Sequence, residues 1–214
     1  SQGVYNTFES SPWGQWLAQQ GYVVANINNR GNNGYGSKFE NVVYKHLGKW
    51  ECHDFAEAAL YLSVKSWVDG ERIGIMGHSA GGFYAGLSLL LHADVFKAAI
   101  STAAISDHRN YNCIFKERYM GLMDENEEGY NQSAMLTHAD KLEGNLLLVH
   151  SLMDDNVHPQ NTFQFTRALI DAGKYFDLKI FPPGTHRVAY DMNSQMYLYN
   201  MYLDWLNENL KGTE

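Results

Sequence analysis

The sequence predicts an α/β fold, a mostly parallel sheet flanked by helices. Short apolar, β-prone runs alternate with segments of helical spacing along the whole chain, and that alternation is the signature of parallel βαβ units. The run Tyr22 to Ile27 is continuously apolar rather than alternating, as a strand buried on both faces would be. The pentapeptide Gly77-His78-Ser79-Ala80-Gly81 stands between a strand-like and a helix-like run, the setting of a sharp strand-to-helix turn.

Taken in order, Ser11 to Gln20 reads as a helix, with Ser11 as cap, Pro12 in the first turn and Gly21 as stop. Tyr22-Val23-Val24-Ala25-Asn26-Ile27 reads as a buried strand, followed by an Asn- and Gly-rich loop from Asn28 to Gly36 that contains Arg30. Cys52 to Lys65 carries Phe55, Ala58, Ala59 and Leu62 at helical spacing, and Asp69-Gly70 turns the chain into a strand around Arg72 to Met76. Gly82 to Leu91 is a buried-type helix and Ala98 to Ser101 a short strand. Ser106 to Gly144 is a long, tyrosine-bearing, partly helical excursion. Leu146 to His150 is a strand, Pro159 to Ala172 a helix stopped by Gly173, Phe176 to Phe181 a strand, and Ser194 to Leu210 a last helix lined with aromatics.

Composition bounds the function. Apolar content of 45% and charged content of 19% fit a globular domain, and 214 residues can enclose one sizeable core. The net charge of −8, with Lys and Arg scattered, offers no basic stripe for phosphates and argues against a nucleic-acid partner. No apolar run is long enough for a membrane-spanning helix, and the first residues do not read as a signal peptide. Cys52 and Cys113 set up no disulfide framework; whether they pair is open. His46, His53, His92, His108 and His138 lack metal-ligand spacing, so neither a metal nor a cofactor is expected.

The chemistry centres on Ser79. A serine nucleophile must be held in a strained turn, which flanking glycines permit. The same turn puts the Ala80 N–H at a helix start, where it can face a developing oxyanion. A serine needs a base, and the base an orienting carboxylate. In α/β-hydrolases these follow in the order Ser, Asp or Glu, His, each in a loop after a strand. Asp154 and Asp155 both lie in the loop after the His150 strand, and His186 lies five residues beyond Phe181. His78 is expected to support the turn by packing or a hydrogen bond, and His158 to start the next helix.

At this point the sequence resembles a known family: the catalytic domain of the dipeptidyl peptidase IV branch of the prolyl oligopeptidase family. The likeness runs through nearly the whole chain. It is carried by Val24 to Gly36 with its Asn-Arg-Gly, by Gly77 to Gly82, and by Phe96-Lys97 leading to Ser106. Glu117-Arg118-Tyr119-Met120-Gly121-Leu122 and Asp154-Asp155-Asn156-Val157-His158 are the branch-specific stretches.

The resemblance implies roles. Ser79 is the nucleophile, Asp154 orients the histidine, and His186 is the general base and then the general acid. Asn156 binds a substrate carbonyl. Tyr111, Ile105, Phe115 and Val157 build an apolar pocket that favours Pro or Ala before the scissile bond. His108 stands where the family has a pocket tryptophan, and Ala80 where it has an aromatic residue; both changes enlarge or soften the pocket. Thr185 and Arg187 flank His186 where the family usually has an acidic residue and a glycine.

The resemblance also implies a single α/β-hydrolase peptidase domain over residues 1–214 that is a fragment of a larger protein. On that expectation the first sheet strands, a second oxyanion tyrosine and a β-propeller lie upstream. The implied activity is release of dipeptides from peptide amino termini, by an exported, periplasmic or extracellular enzyme, often a homodimer. Alternatives are an oligopeptidase or esterase with a looser pocket, and a binding protein with a relict triad.

Overall fold

The computed structural model describes residues 11–211. Four parallel strands, β1 (Gly74–His78), β2 (Ala98–Thr102), β3 (Asn145–Ser151) and β4 (Asp177–Phe181), form one sheet in the order β1-β2-β3-β4. The helices are α1 (Pro12–Gln19), α2 (Ser37–Asn41), α3 (Lys49–Ser63), α4 (Ala80–Leu91), α5 (Cys113–Met120), α6 (Glu127–Ser133), α7 (Gln160–Asp171) and α8 (Met192–Leu206). Short 3₁₀ turns cover His108–Asn110 and Met135–Lys141 in the long excursion, and a π turn, Asn207–Lys211, extends α8.

Alternation along the strands divides the core into two layers, as a sheet covered on both faces requires. Ala99, Leu146 and Leu148 point to one face, against Ala56 and Ala59 of α3, Phe83 and Leu87 of α4, and Phe165 and Leu169 of α7. Ala98, Ile100, Leu147 and Val149 point to the other, against Leu17 of α1 and Leu198, Tyr202, Leu203 and Leu206 of α8. Two polar contacts fix α8 on its face: Trp205 Nε1–H donates to Asp177 (2.7 Å), and the Thr102 and Tyr202 hydroxyls lie 2.6 Å apart. Val43, Leu47, Met120 and Tyr130 make a satellite core beneath α5 and α6, with Phe115 and Tyr119 packed on it.

The α1 boundary follows its cap, since Ser11 Oγ accepts from the Gly14 N–H at 3.0 Å. The expected strand over Tyr22 to Ile27 is absent. These residues pair with no strand among the described residues, and Val23 and Val24 are 52% and 43% exposed. A strand is stabilised by the ladder to its neighbour, so an apolar, β-branched composition does not make one where no neighbour lies alongside. The loop that follows is pinned instead by Arg30, which pairs with Asp54 of α3 and lies 4.3 Å above the Trp50 ring.

Glu51 on α3 is buried at 1% exposure. Its carboxylate accepts from the Gly48 N–H (2.9 Å) and from the Tyr84 hydroxyl (3.0 Å), so it caps its own helix and ties α3 to α4. Burial pushes its carboxyl up to about 7. The folded-state value lies above the unfolded one, so the stabilisation linked to the bound proton is complete below about pH 4.5 and is lost as pH rises through about 7. The size is on the order of 3 kcal/mol. Glu51→Gln keeps the shape without the charge. Its unfolding free energy, measured by urea titration from pH 5 to pH 8, is expected to fall less steeply with pH than that of the unaltered protein. Parallel curves would refute the linkage.

Candidate active site

The sheet positions the site. In a parallel sheet all strand C-termini lie at one edge, and the loops after β1, β3 and β4 bring Ser79, Asp154 and His186 to that edge. Ser79 sits between β1 and α4 with φ 59° and ψ −120°, a conformation that strains an L-residue and turns its hydroxyl out of the helix. Its N–H donates to Thr102 O of β2 at 2.8 Å, which fastens the turn to the sheet. The close approach falls on Gly77 and Gly82. A Cβ on Gly77 would lie 2.3 Å from the Gly81 backbone, and one on Gly82 would lie 2.5 Å from Thr102 O, whereas Gly81 faces open space.

The three side chains form one hydrogen-bonded line. His186 Nε2 is 2.9 Å from Ser79 Oγ, and its Nδ1 is 2.9 and 3.1 Å from the two Asp154 oxygens. Asp154 accepts only, so Nδ1 carries the proton and Nε2 presents its lone pair to the serine. Asp154 is fully buried, and its Oδ1 takes the N–H groups of Asn156 (3.0 Å) and Val157 (2.9 Å). The acid loop is tied to the histidine loop by the Met153 N–H, which donates to Gly184 O at 3.2 Å. Of the two candidate aspartates, Asp154 makes these contacts, and none involves Asp155.

His78 meets the expectation of a supporting bond. Its Nε2 lies 2.6 Å from His186 O and its ring 4.8 Å from the His186 ring. Burial holds its pKa below the usual histidine range. His158 stands at the start of α7, where its Nδ1 accepts from the Gln160 N–H. Ala80 is the first residue of α4, and its N–H therefore has no partner within the helix.

The residues expected to line a specificity pocket form a connected wall. The Tyr111 hydroxyl donates to Asn156 Oδ1 at 2.9 Å, which leaves the Asn156 NH₂ as its donating end. Tyr111 and Phe115 meet edge to face at 5.3 Å, and Phe115 stacks on His108 at 6.1 Å. Ile105 and Val157 are buried together in the main core. His108 is 1% exposed, lies edge-on to Phe83 at 4.7 Å, and has no hydrogen-bond partner on either ring nitrogen. Burial pushes its pKa down to about 4, so it is a neutral, flat, nearly apolar ring at neutral pH.

One neighbour escaped sequence reading. His150, at the end of β3, has its Nε2 3.2 Å from Asp154 Oδ2, with both side chains fully buried. Only its place on the strand was legible, because a histidine ending a strand gives no signal of what its ring will meet. Cys52 is buried and Cys113 exposed, and both are free thiols. Among the described residues no three His, Cys, Asp or Glu side chains are grouped to hold a metal ion, and no helix is long and apolar enough to cross a membrane.

The model of the prolyl oligopeptidase family matches residues 9–213. Human dipeptidyl peptidase 8 is 36% identical over 198 residues, covering 91% of this chain and 22% of that protein. Dipeptidyl peptidase 4 of Sus scrofa is 34% identical over 199 residues, covering 91% of this chain and 26% of its own length. The crystal structure of Porphyromonas gingivalis dipeptidyl peptidase 4 superposes with a TM-score of 0.91 at 39% identity, over 94% of this chain and 28% of the other. The chain thus spans about a quarter of the length of these relatives. With a family match over nearly all its residues and an α/β-hydrolase sheet that carries serine, aspartate and histidine in order at one edge, the chain belongs to the prolyl oligopeptidase family of serine peptidases.

Proposed function

We propose that this chain is the catalytic domain of a dipeptidyl peptidase, acylated on Ser79, that releases dipeptides with Pro or Ala as the second residue. The observation that carries the reading is the unbroken line Ser79–His186–Asp154, with 2.9 Å at each link. The names of the relatives supply the substrate class.

His186 Nε2 takes the Ser79 proton as Oγ attacks the carbonyl carbon of the scissile bond. The oxyanion that forms faces the Ala80 N–H and the N-terminal end of α4. His186 then gives the proton to the departing amine. An ester on Ser79 remains, and a water molecule activated by the same nitrogen hydrolyses it. Asp154 holds the ring in place and stabilises the imidazolium. Asn156 offers its NH₂ to a substrate carbonyl while Tyr111 holds its other end. Tyr111 and Phe115 border the place for a small apolar side chain, backed by the buried His108, Ile105 and Val157.

Ala80 and the flat ring of His108 favour a second reading, an oligopeptidase or esterase of the same fold with a looser pocket. Chromogenic Gly-Pro and Ala-Ala reporters with free amino termini, assayed against the same reporters N-acetylated, separate the two in the full-length gene product. The expected result is cleavage of the free reporters and little or none of the blocked ones. Equal cleavage of both would replace the exopeptidase reading with the second. Light scattering on the same preparation tests the homodimer that the family resemblance implies.

A further inference from the structure

We infer that His150 is a positioning residue for the triad, a second histidine set against the same Asp154 oxygen that His186 approaches most closely; the inference rests on the reading of Ser79, Asp154 and His186 as the catalytic line.

His150, the next-to-last residue of β3, has no solvent exposure, although a histidine buried in an apolar sheet is costly unless its nitrogens are satisfied. Both are. Nδ1 is 2.7 Å from Thr162 Oγ1 on α7, and Nε2 is 2.9 Å from Val157 O and 3.2 Å from Asp154 Oδ2. The protonation follows from the partners. Val157 O and Asp154 Oδ2 accept only, so Nε2 carries the hydrogen and Nδ1 accepts from the Thr162 hydroxyl. Burial lowers the pKa of this ring, which agrees with a neutral imidazole in that tautomer.

The arrangement is reciprocal around the acid. Val157 gives its N–H to Asp154 Oδ1 and takes the His150 hydrogen on its carbonyl. Asp154 Oδ1 therefore faces two backbone donors and lies 3.1 Å from His186 Nδ1, and Oδ2 faces both imidazoles. The charged and titratable groups around His150 are Asp154 and, beyond it, His186. His150 thus fixes the rotation of the carboxylate that orients His186. It also withdraws part of the negative charge that the His186 Nδ1–H would otherwise meet.

The prediction separates geometry from bulk stability. Glutamine can place an N–H where Nε2 stands, whereas phenylalanine fills the space with no donor. In the full-length gene product His150→Phe is expected to lose roughly 10-fold in kcat, the size of one modest N–H contact to the carboxylate, since the Nε2 hydrogen is shared with Val157 O, with KM nearly unchanged. With less of the Asp154 charge withdrawn, the protonated form of the base is favoured, and the acidic limb of kcat/KM moves to higher pH. His150→Gln is expected to restore most of kcat and the original limb. Ser79→Ala runs as the control. If it is inactive while His150→Phe keeps the unaltered kcat and limb, the brace is refuted and the triad stands. If Ser79→Ala is active, the triad and the brace both fall. If Phe and Gln variants lose activity equally, in step with their melting temperatures, the role is structural and the inference is overturned.

Discussion

Replacing Ser79 by alanine is expected to lower kcat by about a million-fold while leaving substrate affinity and melting temperature nearly unchanged. The size follows from the role. On the proposed mechanism, without Oγ there is no acyl-enzyme, and His186 Nε2 has no proton to take from position 79. What remains is binding and the electrostatic help of the Ala80 N–H, which act on water only weakly. The fold is expected to survive, because the strained backbone at Ser79 is held by its N–H bond to Thr102 O and by the fit of Gly77 against Gly81, neither of which uses the side chain. Alanine, like serine, carries a Cβ and tolerates the left-handed φ no better and no worse. Burst kinetics and active-site labelling by a fluorophosphonate provide the check. Labelling that persists in Ser79→Ala would place the nucleophile elsewhere.

Asp154→Asn is expected to cost about ten-thousand-fold in kcat with the geometry intact. The contacts dictate which way the amide must face. The Oδ1 position receives two backbone N–H groups, from Asn156 and Val157, so the asparagine oxygen has to occupy it. The NH₂ is then forced toward His186 Nδ1, 2.9 Å away, and toward the Nε2 hydrogen of His150, 3.2 Å away. Against a donor, His186 avoids conflict by moving its proton to Nε2. Its lone pair then faces the amide, and Ser79 meets an N–H that cannot take its proton. The second N–H of the amide then meets His150 Nε2–H, whose own hydrogen goes to Val157 O, and a buried donor without an acceptor costs about 1 to 3 kcal/mol of stability. The expected signature is a large loss in kcat, a small change in KM and a modestly lower melting temperature. A variant within tenfold of the unaltered kcat would contradict this account of the tautomer.

The sequence was informative wherever a feature depends on local pattern. The turn at Ser79 could be read because Gly-x-Ser-x-Gly between strand and helix is itself a local device. Asp154 and His186 could be placed because chain order and strand ends settle which loops share an edge. The choice of Asp154 over Asp155 came from the family resemblance, and the hydrogen bonds agree with it. The strand expected over 22–27 does not form, because pairing is a property of two segments and composition describes only one. The short helix α2 gave no sign in the sequence, since five residues are too few for periodicity to show. His150 was silent for a different reason. Its importance lies in what its two nitrogens touch, Thr162 on a helix and Asp154 across a loop, and no spacing rule encodes that.

The hydrogen bond from Ser79 to His186 joins residues 107 positions apart, and the line reaches Asp154 in a loop between them. Every crossover from β1 to β4 must be in place before it can close. Contacts of such long range form late and slowly, because the loop entropy is spent before the contact repays it. Refolding from denaturant should therefore restore helical content and apolar burial well before peptidase activity. A polypeptide released from synthesis short of His186 carries Ser79 with no base to use it, and it lacks α8, which covers one face of the sheet. On the proposed function, chain order alone keeps the nucleophile idle until the loop after β4 has been made.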